Sequence, residues 1–284
     1  MDDPDDSADA REAFSLLGHE IRLEILLALL EDWMAVYTEP KSYAELMDAV
    51  GMRDSGKFNY HLGQLRGVYV RKVEGGYVPT ASATALYRAV LAHRPTDRFE
   101  DEFAPTAASC PACGSTPSVR YERGFLSVDC DDCSEWVGFT YPFPQNGVES
   151  REPDDLLEAV HARVRHDLGL AREGQCPDCA GTTTVDLRLE AVGDGSHWVS
   201  IECDTCTFVV GTDVLSAVLG DDRVASVLRE AGVDLERYQL DLPTGPTRIE
   251  SREPPTLAVD VEGEVGTVTV VVDDALDVQS VERE

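Results

Sequence analysis

Ser55-Gly56-Lys57-Phe58-Asn59-Tyr60-His61-Leu62-Gly63-Gln64-Leu65 is the stretch on which the fold turns. Phe58, Leu62 and Leu65 recur at helical spacing and form one apolar face. Lys57, Asn59, Tyr60, His61 and Gln64 make up the polar remainder, with Arg53 and Ser55 at its start. Asn and Gln can pair bidentately with adenine, Lys with guanine or phosphate, and Tyr or His with phosphate oxygens. An ordinary helix with a solvated face has the same composition, so the flanking sequence has to decide.

Upstream, Phe14, Leu16, Leu17, Ile21, Ile25, Leu26, Leu29 and Leu30 predict one helix of about four turns. Pro40 interrupts it, and Ser42 followed by Glu45 reads as a capping box opening a second helix, Tyr43 to Val50, that Gly51 ends. The quoted helix follows from Asp54-Ser55 and stops at Gly67. Downstream, Val68 to Val73 and Tyr77 to Pro79 flank Glu74-Gly75-Gly76, a hairpin that carries Arg71 and Lys72. Ala81 to Leu91 closes the unit as a last helix. Helix, helix, turn, helix, hairpin, helix is the order of a winged helix-turn-helix, expected over residues 13–95.

Charge distribution supports that reading. The 284 residues hold 54 Asp+Glu against 24 Lys+Arg, a formal net charge of -30. Residues 1–13 hold six acids and one base, residues 14–94 nine of each, and residues 95–284 hold 39 acids and 14 bases. All three lysines, Lys41, Lys57 and Lys72, lie in the neutral segment. A surface that faces phosphate must be spared an acid load, and this one is. Extreme acidity with so little lysine suits a high-salt cytoplasm, where carboxylates hold water and counterions. The opening Met1-Asp2-Asp3-Pro4-Asp5-Asp6 is the reverse of a basic signal-peptide start, and Ile25–Leu30 is too short to span a bilayer. A cytoplasmic, non-membrane protein is expected, with residues 1–12 as an unstructured acidic arm.

The residues just quoted resemble the arsenic-repressor (ArsR-type) winged-helix family, particularly its archaeal relatives. Ser55 to Leu62, the Gly75-Gly76-Tyr77 wing and Leu17-Gly18-His19-Glu20-Ile21-Arg22-Leu23-Glu24-Ile25-Leu26 carry the likeness. It implies a homodimer on double-stranded DNA, joined through Phe14–Leu30 and Ala81–Leu91. Metal-sensing members carry Cys-x-Cys in the helix before the recognition helix. Glu45-Leu46-Met47-Asp48-Ala49 has no cysteine, so that sensing does not carry over.

All eight cysteines fall in Cys-x2-Cys pairs: Cys110/Cys113, Cys130/Cys133, Cys176/Cys179 and Cys203/Cys206. Sixteen residues separate the first two pairs and 23 the last two, the layout of two zinc ribbons in which hairpins deliver four thiolates each. Two structural Zn2+ ions are expected, with iron in a rubredoxin-like site as the other metal that suits four thiolates and thiol oxidation as a further role. Strands are expected at Val119–Tyr121, Leu126–Val128, Thr184–Leu189 and Trp198–Ile201, the last two around Gly193-Asp194-Gly195. Helices are expected at Asp154–Leu170, Asp213–Leu219 and Asp221–Ala231. The 66–73-residue period reads as a duplication over residues 96–175 and 176–284. Leu257–Val261 and Thr267–Val272 predict a terminal hairpin. The chain as a whole resembles haloarchaeal winged-helix proteins with a zinc-ribbon-like C-terminal region.

The expected class is therefore α+β: a winged helix-turn-helix, a duplicated zinc-ribbon/helix region and a terminal β-hairpin. No phosphate loop, metalloprotease motif or nucleophile elbow occurs, and His161 and His166, five apart, do not share a helix face. A non-enzymatic transcriptional regulator is expected, its acidic region binding a protein or small-molecule effector. The other reading is a general transcription or assembly factor whose ribbons bind polymerase or another protein. Tyr121, Phe125, Trp136 and Phe143 fit an effector pocket or a ribbon core equally.

Overall fold

The computed structural model describes residues 4–94, 101–103, 109–110, 112–133, 138–189, 198–235 and 247–284. It is a mixed α/β chain with several small antiparallel sheets, in two units, Met1–Asp97 and Arg98–Glu284.

The first unit contains α1 (Pro4–Leu17), α2 (Glu20–Leu30), a 3-10 turn (Ala35–Tyr37), α3 (Tyr43–Ala49), α4 (Ser55–Leu65), strands β1 (Val70–Val73) and β2 (Gly76–Pro79), and α5 (Ala81–His93). The single helix expected from Phe14 to Leu30 is two. Gly18 and His19 break it, because His19 turns extended (φ -123°, ψ 121°) and its Nδ1 accepts from the Ile21 N–H at 3.2 Å, capping α2. Helix α1 also runs back to Pro4, into the stretch expected as an unstructured arm. A proline suits a first helical turn.

The capping box on α3 forms in both directions, Glu45 N–H to Ser42 Oγ at 3.3 Å and Ser42 N–H to Glu45 Oε2 at 2.7 Å. Asp54 caps α4 through the Lys57 N–H at 3.0 Å. Strand β2 is pinned on its outer side by Lys41, which exchanges backbone hydrogen bonds with Tyr77 at 2.8 and 3.1 Å. The approach demands glycine at position 76, where a Cβ would lie 2.2 Å from the Lys41 carbonyl oxygen. Ile25, Leu26 and Leu29 of α2 pack with Leu46, Phe58, Leu62, Leu65 and Val70 into one core.

In the second unit β3 (Asp101–Phe103), β4 (Ser118–Glu122), β5 (Phe125–Asp129) and β6 (Phe139–Pro142) form an antiparallel sheet. Helices α6 (Gln145–Glu149) and α7 (Pro153–Arg172) follow, and α7 buries Leu156, Leu157, Val160, Val164 and Leu168 with Val119, Tyr121, Leu126 and Val128. A second sheet, β7 (Thr183–Arg188), β8 (Trp198–Cys203) and β9 (Val209–Asp213), leads into α8 (Val214–Val218) and α9 (Asp222–Glu230). Val199 and Ile201 of β8 share a larger core with Val224 and Leu228 of α9 and with the last sheet. That sheet corrects the expected terminal hairpin. It has four strands in order: β10 (Thr247–Arg252), β11 (Pro255–Glu262), β12 (Thr267–Asp273) and β13 (Val278–Arg283). The two edge strands lack an apolar run because one row of each faces water, as charged edges do. Among the described residues no helix is long and apolar enough to cross a membrane.

Candidate metal centres and the polar face of α4

The eight cysteines gather into two groups of four, each with its sulfurs within 4.8 Å of one another. Cys110 and Cys133 lie 3.6 Å apart, Cys113 and Cys130 3.5 Å, Cys176 and Cys206 3.6 Å, and Cys179 and Cys203 3.6 Å. A disulfide would need about 2.05 Å. Four sulfurs at ~2.3 Å from a tetrahedral metal sit about 3.8 Å apart, so each group can hold one ion with all four positions filled by sulfur.

Local structure builds both groups alike. In the first, β4 and β5 join through Arg123-Gly124, both at positive φ, and the open end of that hairpin carries the cysteine pairs. Cys110 N–H donates to Ser115 O and Gly114 N–H to Cys110 O, both at 2.8 Å. In the second, Cys176 N–H donates to Gly181 O at 2.8 Å and Ala180 N–H to Cys176 O at 2.9 Å. Backbone donors also reach sulfur: Gly181 N–H to Cys179 Sγ at 3.4 Å, and Thr205 and Cys206 N–H to Cys203 Sγ at 3.3 and 3.4 Å. Such bonds favour the thiolate a metal requires. Those from Cys206 and Thr205 bring the Cys203 thiol down to about 7, and hydrogen bonds with Ser115 bring Cys113 to about 6. Burial and the neighbouring cysteines push Cys130 and Cys206 up to about 12, so each group has one thiol poised to ionise and others that hold their protons until a metal replaces them.

A brace absent from the sequence reading accompanies each group. Asp131, next to Cys130, takes hydrogen bonds from Ser118 and from Arg120 at 3.0 and 3.2 Å. Asp204, next to Cys203, takes them from Thr182 at 2.8 Å and Thr184 at 3.1 Å. The signal was the repeated Cys-Asp dipeptide at the third ligand, with hydroxyl residues on the preceding strand.

Of the residues expected to face DNA, Arg53, Ser55, Lys57, Asn59, Tyr60 and Gln64 are exposed on or just before α4, and Arg71 and Lys72 are exposed on β1. His61 is not, at 5% exposure. One turn beyond Phe58 and Lys57, it falls on the flank where α4 meets the start of α2, its ring centroid 4.1 Å from that of His19. Burial, then the nearby His19, Arg22 and Lys57 side chains, lower its pKa.

The remaining candidates separate. Tyr121 and Phe143 are core, Tyr121 O–H donating to the Phe143 carbonyl at 2.9 Å, whereas Phe125 is exposed. Trp136 and the Gly193-Asp194-Gly195 turn lie outside the described residues. His161 is packed, its ring parallel to Phe139 at 6.1 Å, and burial followed by Arg165 pushes its pKa down to about 4.

Residues 107–278 match a family described as "Domain of unknown function (DUF7351)", and residues 10–90 match one described as "Domain of unknown function (DUF7347)". No curated protein and no solved structure matches the chain.

Proposed function

We propose that this chain, which belongs to the family described as "Domain of unknown function (DUF7351)", is a transcriptional regulator that reads operator DNA with its first unit. In this reading α3 and α4 are the helix-turn-helix, β1 and β2 the wing, and the unit an ArsR-type winged helix. The observation that carries it is the exposed row Lys57, Asn59, Tyr60 and Gln64 on α4, with Arg71 and Lys72 on the adjoining hairpin. Those cations belong to a segment of zero net charge in a chain of -30. Lys57 suits guanine or phosphate, Asn59 and Gln64 suit adenine, and the wing cations suit the backbone. Phe14 on α1, Leu23 and Leu27 on α2, and Val90 and Leu91 on α5 are exposed apolar residues. They support dimerisation through these helices. The cysteine groups are read as structural Zn2+ sites without catalytic function, since sulfur fills every position.

Near-molar salt removes most of the counterion-release contribution, so base contacts carry the affinity. Lys57→Ala and Asn59→Ala are each expected to weaken a cognate site by about 1–3 kcal/mol, measured by footprinting in high salt. Equal protection by both variants and the wild type sinks the assignment. A second reading, in which the ribbons dock on polymerase or another protein, draws on Phe125 of β5 and Val209 of β9, both exposed. Chromatin immunoprecipitation separates the two: a few promoters for the regulator, broad promoter coverage for the general factor.

A further inference from the structure

One cluster on α4 extends inward from the exposed face and shares only Lys57 with it. Where α4 meets the α1–α2 turn, four cationic or cationisable side chains converge from two elements: His19 and Arg22 from the start of α2, and Lys57 and His61 from α4. They are graded from solvent to core, with Lys57 exposed, His19 and Arg22 half-buried and His61 buried. Two of their polar atoms are buried without a hydrogen-bond partner, His61 Nδ1 and Arg22 Nε. Arg22 is otherwise held by one bond, from its guanidinium to the Ser15 carbonyl at 3.0 Å. His19 Nδ1 is occupied as the acceptor for Ile21 N–H, which leaves its ring proton on Nε2, a donor. Arg22 and Lys57, both cationic, act on His61 together with the neighbouring His19 ring.

Burying the Arg22 Nε–H and an imidazole nitrogen without partners beside two cations is costly unless an anion completes the arrangement. We propose that this cluster, in which the His19 and His61 ring centroids lie 4.1 Å apart, is a phosphate-binding site, with Arg22 and Lys57 as its cations and His19 and His61 as imidazole donors. The chemistry is that of a phosphate group, from the DNA backbone beside α4 or from free orthophosphate. Arginine and a helix N-terminus both suit such an oxyanion. The DNA source rests on the function proposed above; the site itself does not.

The experiment follows the imidazole nitrogens of His19 and His61 by NMR in the full-length, metal-loaded protein. The protein is titrated first with sodium phosphate against sodium chloride at matched ionic strength, then with a mixed-sequence DNA duplex. Saturable shifts with phosphate and with DNA, absent with chloride, are expected. In parallel, Arg22→Gln should reduce the slope of log affinity for DNA against log salt by about 1, the loss of one phosphate contact. Arg22→Lys, which keeps the charge, should restore it, and a packing role alone would not move the slope. If DNA binds while both imidazoles stay still and Arg22→Gln keeps the wild-type slope, the site is wrong and the DNA reading stands. If phosphate moves the imidazoles but DNA does not bind, the site belongs to free phosphate and the DNA reading fails. Imidazoles that respond to neither probe overturn the proposal.

Discussion

The two cysteine groups share a local design and differ in what stands behind them. Each has the same pair of backbone hydrogen bonds around its first cysteine and an aspartate after its third cysteine that braces the preceding strand. The first is backed by the smaller core, between β4–β5 and α7. The second feeds β8 into the larger core shared with α8, α9 and the terminal sheet. What the two have in common is the part that prepares thiolates for a metal. Whether the surrounding fold survives without the metal depends on the part they do not share.

Metal loss tests that difference most strongly. Elemental analysis should find two metal ions per chain, and Cys110→Ser and Cys176→Ser should each leave one. Metal binding supplies much of the folding free energy of a small ribbon, on the order of 10 kcal/mol in isolated fingers. Cys110→Ser is therefore expected to lower the thermal midpoint more than Cys176→Ser, because less apolar surface backs the first ribbon. Equal midpoints would show that the cores are irrelevant, and a folded chain free of metal would sink the ribbon reading altogether.

The two four-cysteine groups were legible in the sequence because a Cys-x2-Cys spacing is a local property that nothing else in the chain imitates. The α4 stretch was legible for the same reason: Phe58, Leu62 and Leu65 fix its inner face, and all three are buried. What escaped depends on neighbours distant in sequence. His61 looked like one more polar residue on that helix, and only the position of His19 at a broken helix start shows that it faces inward. The break itself was hidden because apolar spacing continues across Gly18-His19 on both sides. Strands β10 and β13 were missed because Arg248, Glu250 and Arg252, or Gln279 and Glu282, interrupt any apolar run. Edge strands owe their place to the strands they pair with.

A pH experiment sharpens the contrast between the cores. His161 of α7 is buried in contact with Phe139 of β6, behind the first ribbon, and its folded pKa is about 4 against an ordinary 6.5. The buried polar residues around the second ribbon, Ser200, Thr212 and Ser216, do not titrate in this range. Between pH 6.5 and 4 the unfolded chain takes up a proton at His161 that the folded chain refuses, so stability falls as pH falls through that window. Below about 4 this contribution no longer changes. The shift corresponds to ~3 kcal/mol, an order-of-magnitude figure. His161→Leu should flatten the wild-type dependence by that amount in denaturant titrations across the window. Thiolate protonation acts on both proteins and cancels in the difference. A variant with the wild-type slope would show that the ring is hydrated in solution.

The smallest expected effect lies inside the knuckles, at the residue after the second cysteine of each group. It is Gly114 in the first (φ +76°) and Ala180 in the second (φ +60°), both left-handed. A Cβ at position 114 would meet no atom within 4 Å, so Gly114→Ala is penalised by backbone conformation alone. A left-handed L-residue costs roughly 1–2 kcal/mol, reduced by the lower unfolded-state entropy of alanine, which leaves about 1 kcal/mol of destabilisation. Ala180→Gly runs the same balance in reverse and should stabilise by no more than about 1 kcal/mol. Thermal unfolding of the metal-loaded variants measures both, and the signs must be opposite. If Gly114→Ala stabilises, the first knuckle does not hold the left-handed turn in solution. The equivalence of the two groups would then stop at their sulfurs.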